Sequence, residues 1–200
     1  MTKAVIFDVG GVLIDWNPKY LYSKLLADEA AIDAFLEEIG FQSWNLALDA
    51  GGRWEPAIAD LVSRFPHHKA LIEAAHLRWH EMLASDIPGT VRILERLSQA
   101  GVPLYAITNY SSEKFIETKN RFPFFALFRD IVVSGDEGLL KPEAAIFRLC
   151  LDRNGLSAQD CVFIDDVARN IDGARDVGTD AILFTSPDQL ETDLKRRSLL

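Results

Sequence analysis

The 200-residue chain is short of the features that mark several large classes of protein. It has two cysteines, Cys150 and Cys161, and neither belongs to a Cys-x-x-Cys pair. Such usage supports neither a disulfide framework nor a thiolate metal site. Each sulfur sits among apolar neighbours, as a buried free thiol of a reducing compartment does. No apolar run approaches the roughly 20 residues that span a bilayer. The first residues lack the basic start, apolar stretch and small-residue cleavage site of a secretory leader, so a cytoplasmic location is expected. Positive charge is scarce: the formal net charge is -9. Lys195-Arg196-Arg197 is too short a cluster to offset it and reads as a solvated helix end. Nucleic acid and anionic membrane surfaces are therefore not expected partners.

Motifs are missing as well. There is no G-x-S-x-G elbow, no P-loop and no G-x-G-x-x-G. An elbow-type serine hydrolase, nucleotide-driven chemistry and dinucleotide chemistry thus have no support. All four histidines fall between positions 67 and 80. His76 and His80 are four apart on an expected helix, but no third ligand accompanies them, and a half-buried or solvated helix face accounts for the pair.

What is present is an ordinary globular composition, 48% apolar and 26% charged, long enough for a full core. The organising stretch is Ala4-Val5-Ile6-Phe7-Asp8-Val9-Gly10-Gly11-Val12-Leu13. A short apolar run bounded by turn residues predicts a buried parallel strand, which puts Asp8 at its carboxyl end, where open α/β sheets bind ligands. Ile14-Asp15-Trp16-Asn17-Pro18 reads as a turn-rich exit. Residues 19–82 then follow a helical period, with breaks at Gly40, Gly51-Gly52 and Pro66, and no strand pattern. They hold Trp44, Trp54 and Trp79, with Trp16 at the entrance. From Ile87 onward strands and helices alternate. Strands are predicted over 103–107, 130–134, 161–164 and 181–184, with helices between them and a loop over 135–140. The expected fold is α/β: a mostly parallel five-stranded sheet flanked by helices, with a helical segment inserted after the first strand. The expected division is a core of residues 1–15 and 87–200 and an insertion of 16–86.

Polar residues recur where these strands end: Asp8, Thr108-Asn109 and Asp165-Asp166, with Lys141 closing the loop after the third sheet strand. Singly, each has an ordinary reading as a cap or turn residue. A parallel sheet brings all of them to one edge. Three carboxylates at one place repel, and a divalent cation with a preference for hard oxygen, Mg²⁺ above all, relieves that. Lys141, the Thr108 hydroxyl and backbone N–H groups after Asp8 suit a tetrahedral anion, with Asp8 as a carboxylate nucleophile.

The motifs Phe7-Asp8-Val9-Gly10-Gly11-Val12-Leu13, Ile107-Thr108-Asn109, Lys141-Pro142-Glu143-x-x-Ile146-Phe147 and Phe163-Ile164-Asp165-Asp166-x-x-x-Asn170-x-x-Gly173-Ala174 resemble those of the haloacid dehalogenase-like hydrolases. The pattern is similar to small sugar-phosphate phosphatases and to the phosphatase domain of soluble epoxide hydrolase. The resemblance implies a Rossmann-like core with a helical cap and Asp8 as a nucleophile that forms an aspartyl-phosphate. It implies Thr108 and Lys141 as phosphate ligands, with Asn109 beside them. It implies Mg²⁺ held by Asp8, Asp166 and the Gly10 carbonyl, with Asp165 in support. The expected partner is a small phosphorylated substrate, with a monomer and a homodimer both open. Substrate choice is expected in the cap, with Asp15, Trp16, Trp44, Asn45, Asp49 and Arg53 as candidates.

One departure stands out. Phosphatases of this superfamily usually carry a second Asp two residues after the nucleophile, as general acid and base; here that position is Gly10. The 2-haloacid dehalogenases also lack it, attack carbon and need no metal. They lack an acidic pair like Asp165-Asp166 and use an early cap arginine, whereas no Arg precedes Arg53 here. A metal-independent dehalogenase and a non-catalytic phosphate-binding relative are the alternatives to a phosphatase. Asp15 is the nearest acid in sequence that could replace the missing one.

Overall fold

Strand β1 (Ala4–Phe7) is buried along its whole length. A strand with parallel neighbours on both sides and cover on both faces requires an unbroken apolar run, and Ala-Val-Ile-Phe is one. The computed structural model describes residues 4–200. After β1 the chain turns through Gly10 and Gly11 into β2 (Ile14–Trp16). Helices α1 (Lys19–Tyr22), α2 (Glu29–Glu38), α3 (Phe41–Asp49), α4 (Trp54–Arg64) and α5 (Lys69–Leu77) follow, then β3 (Leu83–Asp86). The remainder runs α6 (Pro88–Gln99), β4 (Leu104–Thr108), α7 (Ser112–Lys119), β5 (Asp130–Val133), α8 (Ser134–Glu137), α9 (Ala144–Asn154), β6 (Cys161–Asp165), α10 (Ala168–Asp176), β7 (Asp180–Leu183) and α11 (Pro187–Arg196).

Five strands form one parallel sheet in the order β5-β4-β1-β6-β7. The chain builds outward from β1 to β4 and β5, then crosses to β6 on the other side. The crevice above β1 is thus the switch point of the sheet, where ligands bind. Alternate residues of β1 feed two cores. Val5 and Phe7 face a cluster that continues into the helical segment through Leu21, Tyr22 and Trp54. Ala4 and Ile6 face a smaller cluster with Phe147, Phe163, Cys150 and Cys161. Both cysteines are free, and burial pushes their thiols up, Cys150 to about 12 and Cys161 to about 11, which leaves them unreactive. Among the described residues no helix is long and apolar enough to cross a membrane.

The structure corrects the sequence reading in four places. Ile14-Asp15-Trp16 is a strand, not a turn: β2 pairs antiparallel with β3, which the sequence reading missed. The stretch read as helical around 19–39 is broken between α1 and α2, where Asp28 caps α2 by accepting from the Ala31 N–H at 2.9 Å. Helix α5 ends at Leu77, and His80 lies in a separate 3-10 turn, so His76 and His80 do not share a helix face. His76 stacks on Trp54 instead, with ring centroids 5.3 Å apart. The expected loop over 135–140 starts as the short helix α8, closed by the Gly138 N–H donating to Ser134 O at 2.8 Å.

Candidate active site

Asp8 leaves β1 with its N–H donating to Ile164 O of β6, which fixes it above the switch point. It is 7% exposed. The Lys141 ammonium lies 2.8 Å from Asp8 Oδ1 and 2.7 Å from Asp165 Oδ2, and is itself 3% exposed. An ammonium has three donors, so one remains for a further oxygen. Asp165 ends β6, fully buried. Its oxygens also accept from the Val167 N–H at 2.8 Å and from Asn170 Nδ2 at 3.0 and 3.1 Å. Asp165 is therefore committed to holding Lys141 and the start of α10. Asn170, which the sequence reading quoted in a motif without a role, is thus the side-chain amide that holds Asp165. The available signal was an amide-bearing residue in the first turn after an acidic pair.

Asn109 holds Lys141 from the other side. Its Oδ1 accepts the Lys141 N–H at 2.9 Å and its Nδ2 donates to Lys141 O at 3.1 Å. The structure thus gives Asn109 a grip on the lysine's backbone. Thr108 ends β4, buried, two residues beyond the pairing of Phe7 with Ala106.

Asp166 is the exposed member of the acidic pair. Gly11 has φ +75°, and a Cβ there would stand 2.3 Å from Asp166 Oδ2. Only glycine lets the carboxylate lie against this turn. Gly10 differs: a Cβ there meets nothing within 4 Å. Oxygens of Asp8, Asp165 and Asp166 lie within 4.8 Å of one another. Burial pushes the Asp8 carboxyl well up; Lys141 opposes this, and Asp165 and Asp166 add to it. Burial and Asp165 likewise raise Asp166. Burial pulls Lys141 down, but Asp8 and Asp165 outweigh it and hold the lysine charged. One cation facing three carboxylates leaves an excess of negative charge. The donors are hard oxygens, and the set fits a divalent ion such as Mg²⁺.

The helical segment contributes unevenly. Asp49, the last residue of α3, is 8% exposed. Asn45 Nδ2 donates to its carboxylate at 3.0 Å. Burial pushes it up to about 7, against the Ser111 N–H and the Lys141 charge, which lower it. Trp16, Trp44, Trp54 and Trp79 form one aromatic cluster. Trp54 centres it, 5.4 Å from Trp44 and 5.3 Å from Trp79, and Trp16 joins through Trp79 at 6.1 Å. Trp54 Nε1 donates to Ser111 Oγ at 2.8 Å, tying the cluster to the loop after β4. Asp15, on β2, accepts the Tyr20 hydroxyl at 2.9 Å. Arg53 is exposed and lines a groove of about 400 Å³ with Glu55, Ile58, His76 and Glu113. The ion pairs and hydrogen bonds around Asp8 do not include it.

Comparison with known proteins gives the family. The description "haloacid dehalogenase-like hydrolase" matches residues 2–178. The chain is 30% identical over 200 residues to the sesquiterpene phosphatase astK of Aspergillus oryzae, covering 99% of this chain and 96% of that one. It is 26% identical over 188 residues to the glyceraldehyde 3-phosphate phosphatase of Methanocaldococcus jannaschii, covering 89% and 82%. In fold it is similar to a HAD family enzyme of Bacteroides thetaiotaomicron solved with magnesium and inorganic phosphate, with a TM-score of 0.70, 19% identity, and 93% and 96% coverage. The chain belongs to the haloacid dehalogenase-like hydrolases.

Proposed function

We propose that the chain is a phosphatase of small phosphorylated metabolites, working through an aspartyl-phosphate on Asp8 with Mg²⁺ as cofactor. One observation carries the reading: a single buried lysine joins Asp8 to Asp165 while Asp166 lies against the Gly11 turn. The phosphatases named among the relatives support the choice of phosphorus over carbon.

An Asp8 oxygen attacks phosphorus; the bond to Asp8 forms as the ester P–O bond breaks and the leaving oxygen takes up a proton. Water then opens the aspartyl-phosphate, releasing phosphate and restoring the carboxylate. The third donor of Lys141 neutralises a phosphoryl oxygen, and the Thr108 hydroxyl donates to another. Asn109, Asp165 and Asn170 keep the lysine from following its charge out of place. Mg²⁺, held by Asp8, Asp166 and the Gly10 carbonyl, would supply positive charge that keeps the cluster ionised and offsets that of the phosphoryl group. The helices between β2 and β3 act as a cap that excludes water. The substrate is a diffusible small molecule met in the cytoplasm.

The test is a panel of phosphate esters and 2-haloacids, assayed with and without Mg²⁺. Metal-dependent phosphate release is expected. Halide release that survives a chelator, with no phosphate release, would replace this reading with the dehalogenase one.

A further inference from the structure

The first protonation step needs an acid, and residue 10 has no side chain to give one. The structure brings a different carboxylate to the same edge of the sheet. Asp49 closes α3, and that end is pinned to the loops after β4 and β5. Ser134 Oγ donates to Asp49 O at 2.5 Å, and the Ser111 N–H donates to the carboxylate. The fit is tight: a Cβ on Gly51, two residues after Asp49, would meet Gly135 O at 3.1 Å. β4 lies beside β1 and β5 beside β4, so the loops that hold Asp49 stand on the carboxyl edge that carries Asp8, and the Lys141 charge reaches the Asp49 carboxyl.

Among the described residues no ion pair neutralises Asp49. Its one side-chain hydrogen-bond partner among the described residues is the Asn45 amide, which suits both protonation states. Nδ2 donates to the carboxylate, and Oδ1, buried without a partner, is free to accept from the carboxyl once the amide turns over. We infer that Asp49, reaching in from the cap, is the general acid and base of the reaction. This rests on the phosphatase reading and adds the group that moves the proton. In the first step the Asp49 carboxyl gives its proton to the ester oxygen as the P–O bond breaks and the Asp8–phosphorus bond forms. In the second, the Asp49 carboxylate takes a proton from the attacking water as the Asp8–phosphorus bond breaks. Atoms and charge return to the start. The charged and titratable groups facing Asp49 are Lys141, from the loop before α9, and Tyr110, after β4. Burial pushes Tyr110 up to about 12, so neither titrates near neutrality.

The experiment compares ethyl phosphate with p-nitrophenyl phosphate in wild type, D49N, D15N and the double variant D49N/G10D. D49N should lose about 10²–10⁴-fold in kcat/KM on ethyl phosphate, the usual worth of general acid help. Its loss on p-nitrophenyl phosphate should be much smaller, because that leaving group departs as an anion. With the base gone, D49N should release p-nitrophenolate in a burst matching the enzyme concentration, then slowly. Wild-type kcat/KM on ethyl phosphate should fall as pH rises through about 7, and D49N should lose that limb. G10D, whose side chain enters open space, should restore part of the ethyl phosphate rate to D49N. Equal losses on both substrates with the pH limb intact would make Asp49 structural and overturn the inference. So would the substrate-selective loss appearing in D15N and not in D49N. A wild type that releases no phosphate from either ester defeats the phosphatase reading itself, a result distinct from an active wild type indifferent to D49N.

Discussion

Asp8 and Asp49 are both buried and both pushed up, yet the regions around them differ in kind. Asp8 stands on a floor of charge, with Lys141, Asp165 and Asp166 around it. Asp49 hangs from a roof of apolar helices and tryptophans, with a neutral amide as its side-chain partner. On the floor, each charge is tolerable only because its opposite is present. In the roof, the carboxyl is perturbed mainly by dryness. The floor is thus fragile to loss of any one member, while the roof is fragile to loss of packing.

The comparison can be broken most severely at Asp8. Asp8→Asn keeps the shape and removes the proposed nucleophile, and phosphate release should vanish under every condition that supports the wild type. Next comes Lys141→Met, which leaves Asp8 and Asp165 buried together without a cation. A cost of about 3–5 kcal/mol is expected, read by urea denaturation at pH 7, and it should shrink in acid as the carboxyls protonate. Asp49→Asn should act in the opposite sense. The folded Asp49 carboxyl sits above its unfolded value of 3.8, at about 7, so its favourable contribution is whole below about pH 4 and is lost as pH rises through 7. The neutral variant should therefore be more stable than wild type at pH 8, by on the order of 2–4 kcal/mol, and equal to it at pH 4. Thermal unfolding at the two pH values decides this; a constant difference would mean that burial does not govern this carboxyl. The smallest effect belongs to Trp54→Phe. It removes the hydrogen bond to Ser111 and part of a fully buried ring system, and about 1–2 kcal/mol is expected in denaturant midpoints.

The floor was legible in the sequence because each of its residues ends an apolar strand or precedes a helix, and parallel pairing sends all such ends to one edge. The strand-end places of Asp8, Thr108 and Asp165 follow from local pattern, while the roles expected of them came from the family resemblance. What local pattern does not carry is partnership across distance. Asn109 grips Lys141 from 32 residues away, a contact that exists only once β4 and the loop before α9 are side by side. β2 and β3 are three and four residues long, and their mutual pairing, not an apolar alternation, makes them strands. The burial of Asp49 was equally hidden. An acid after Ala47-Leu48 at a helix end reads as solvated, and only the docking of α3 on Ser111 and Ser134 makes it dry. The aromatic cluster, by contrast, was foreshadowed by the crowding of tryptophans, though not its anchorage through Trp54 to Ser111.

The two adjacent glycines have different evolutionary freedom. Gly11 is locked by the carboxylate lying on it, and any side chain there would displace Asp166. Gly10 is sterically open, and two of the four glycine codons lie one base from an aspartate codon. Variants with an acid at position 10 are within reach of point mutation. Packing does nothing to remove them. An acid supplied from position 49 makes one at position 10 dispensable, which leaves that position open to either residue. Relatives of this chain should fall into two groups, those with an acid at position 10 and a free choice at position 49, and those with glycine at 10 and an acid held at 49.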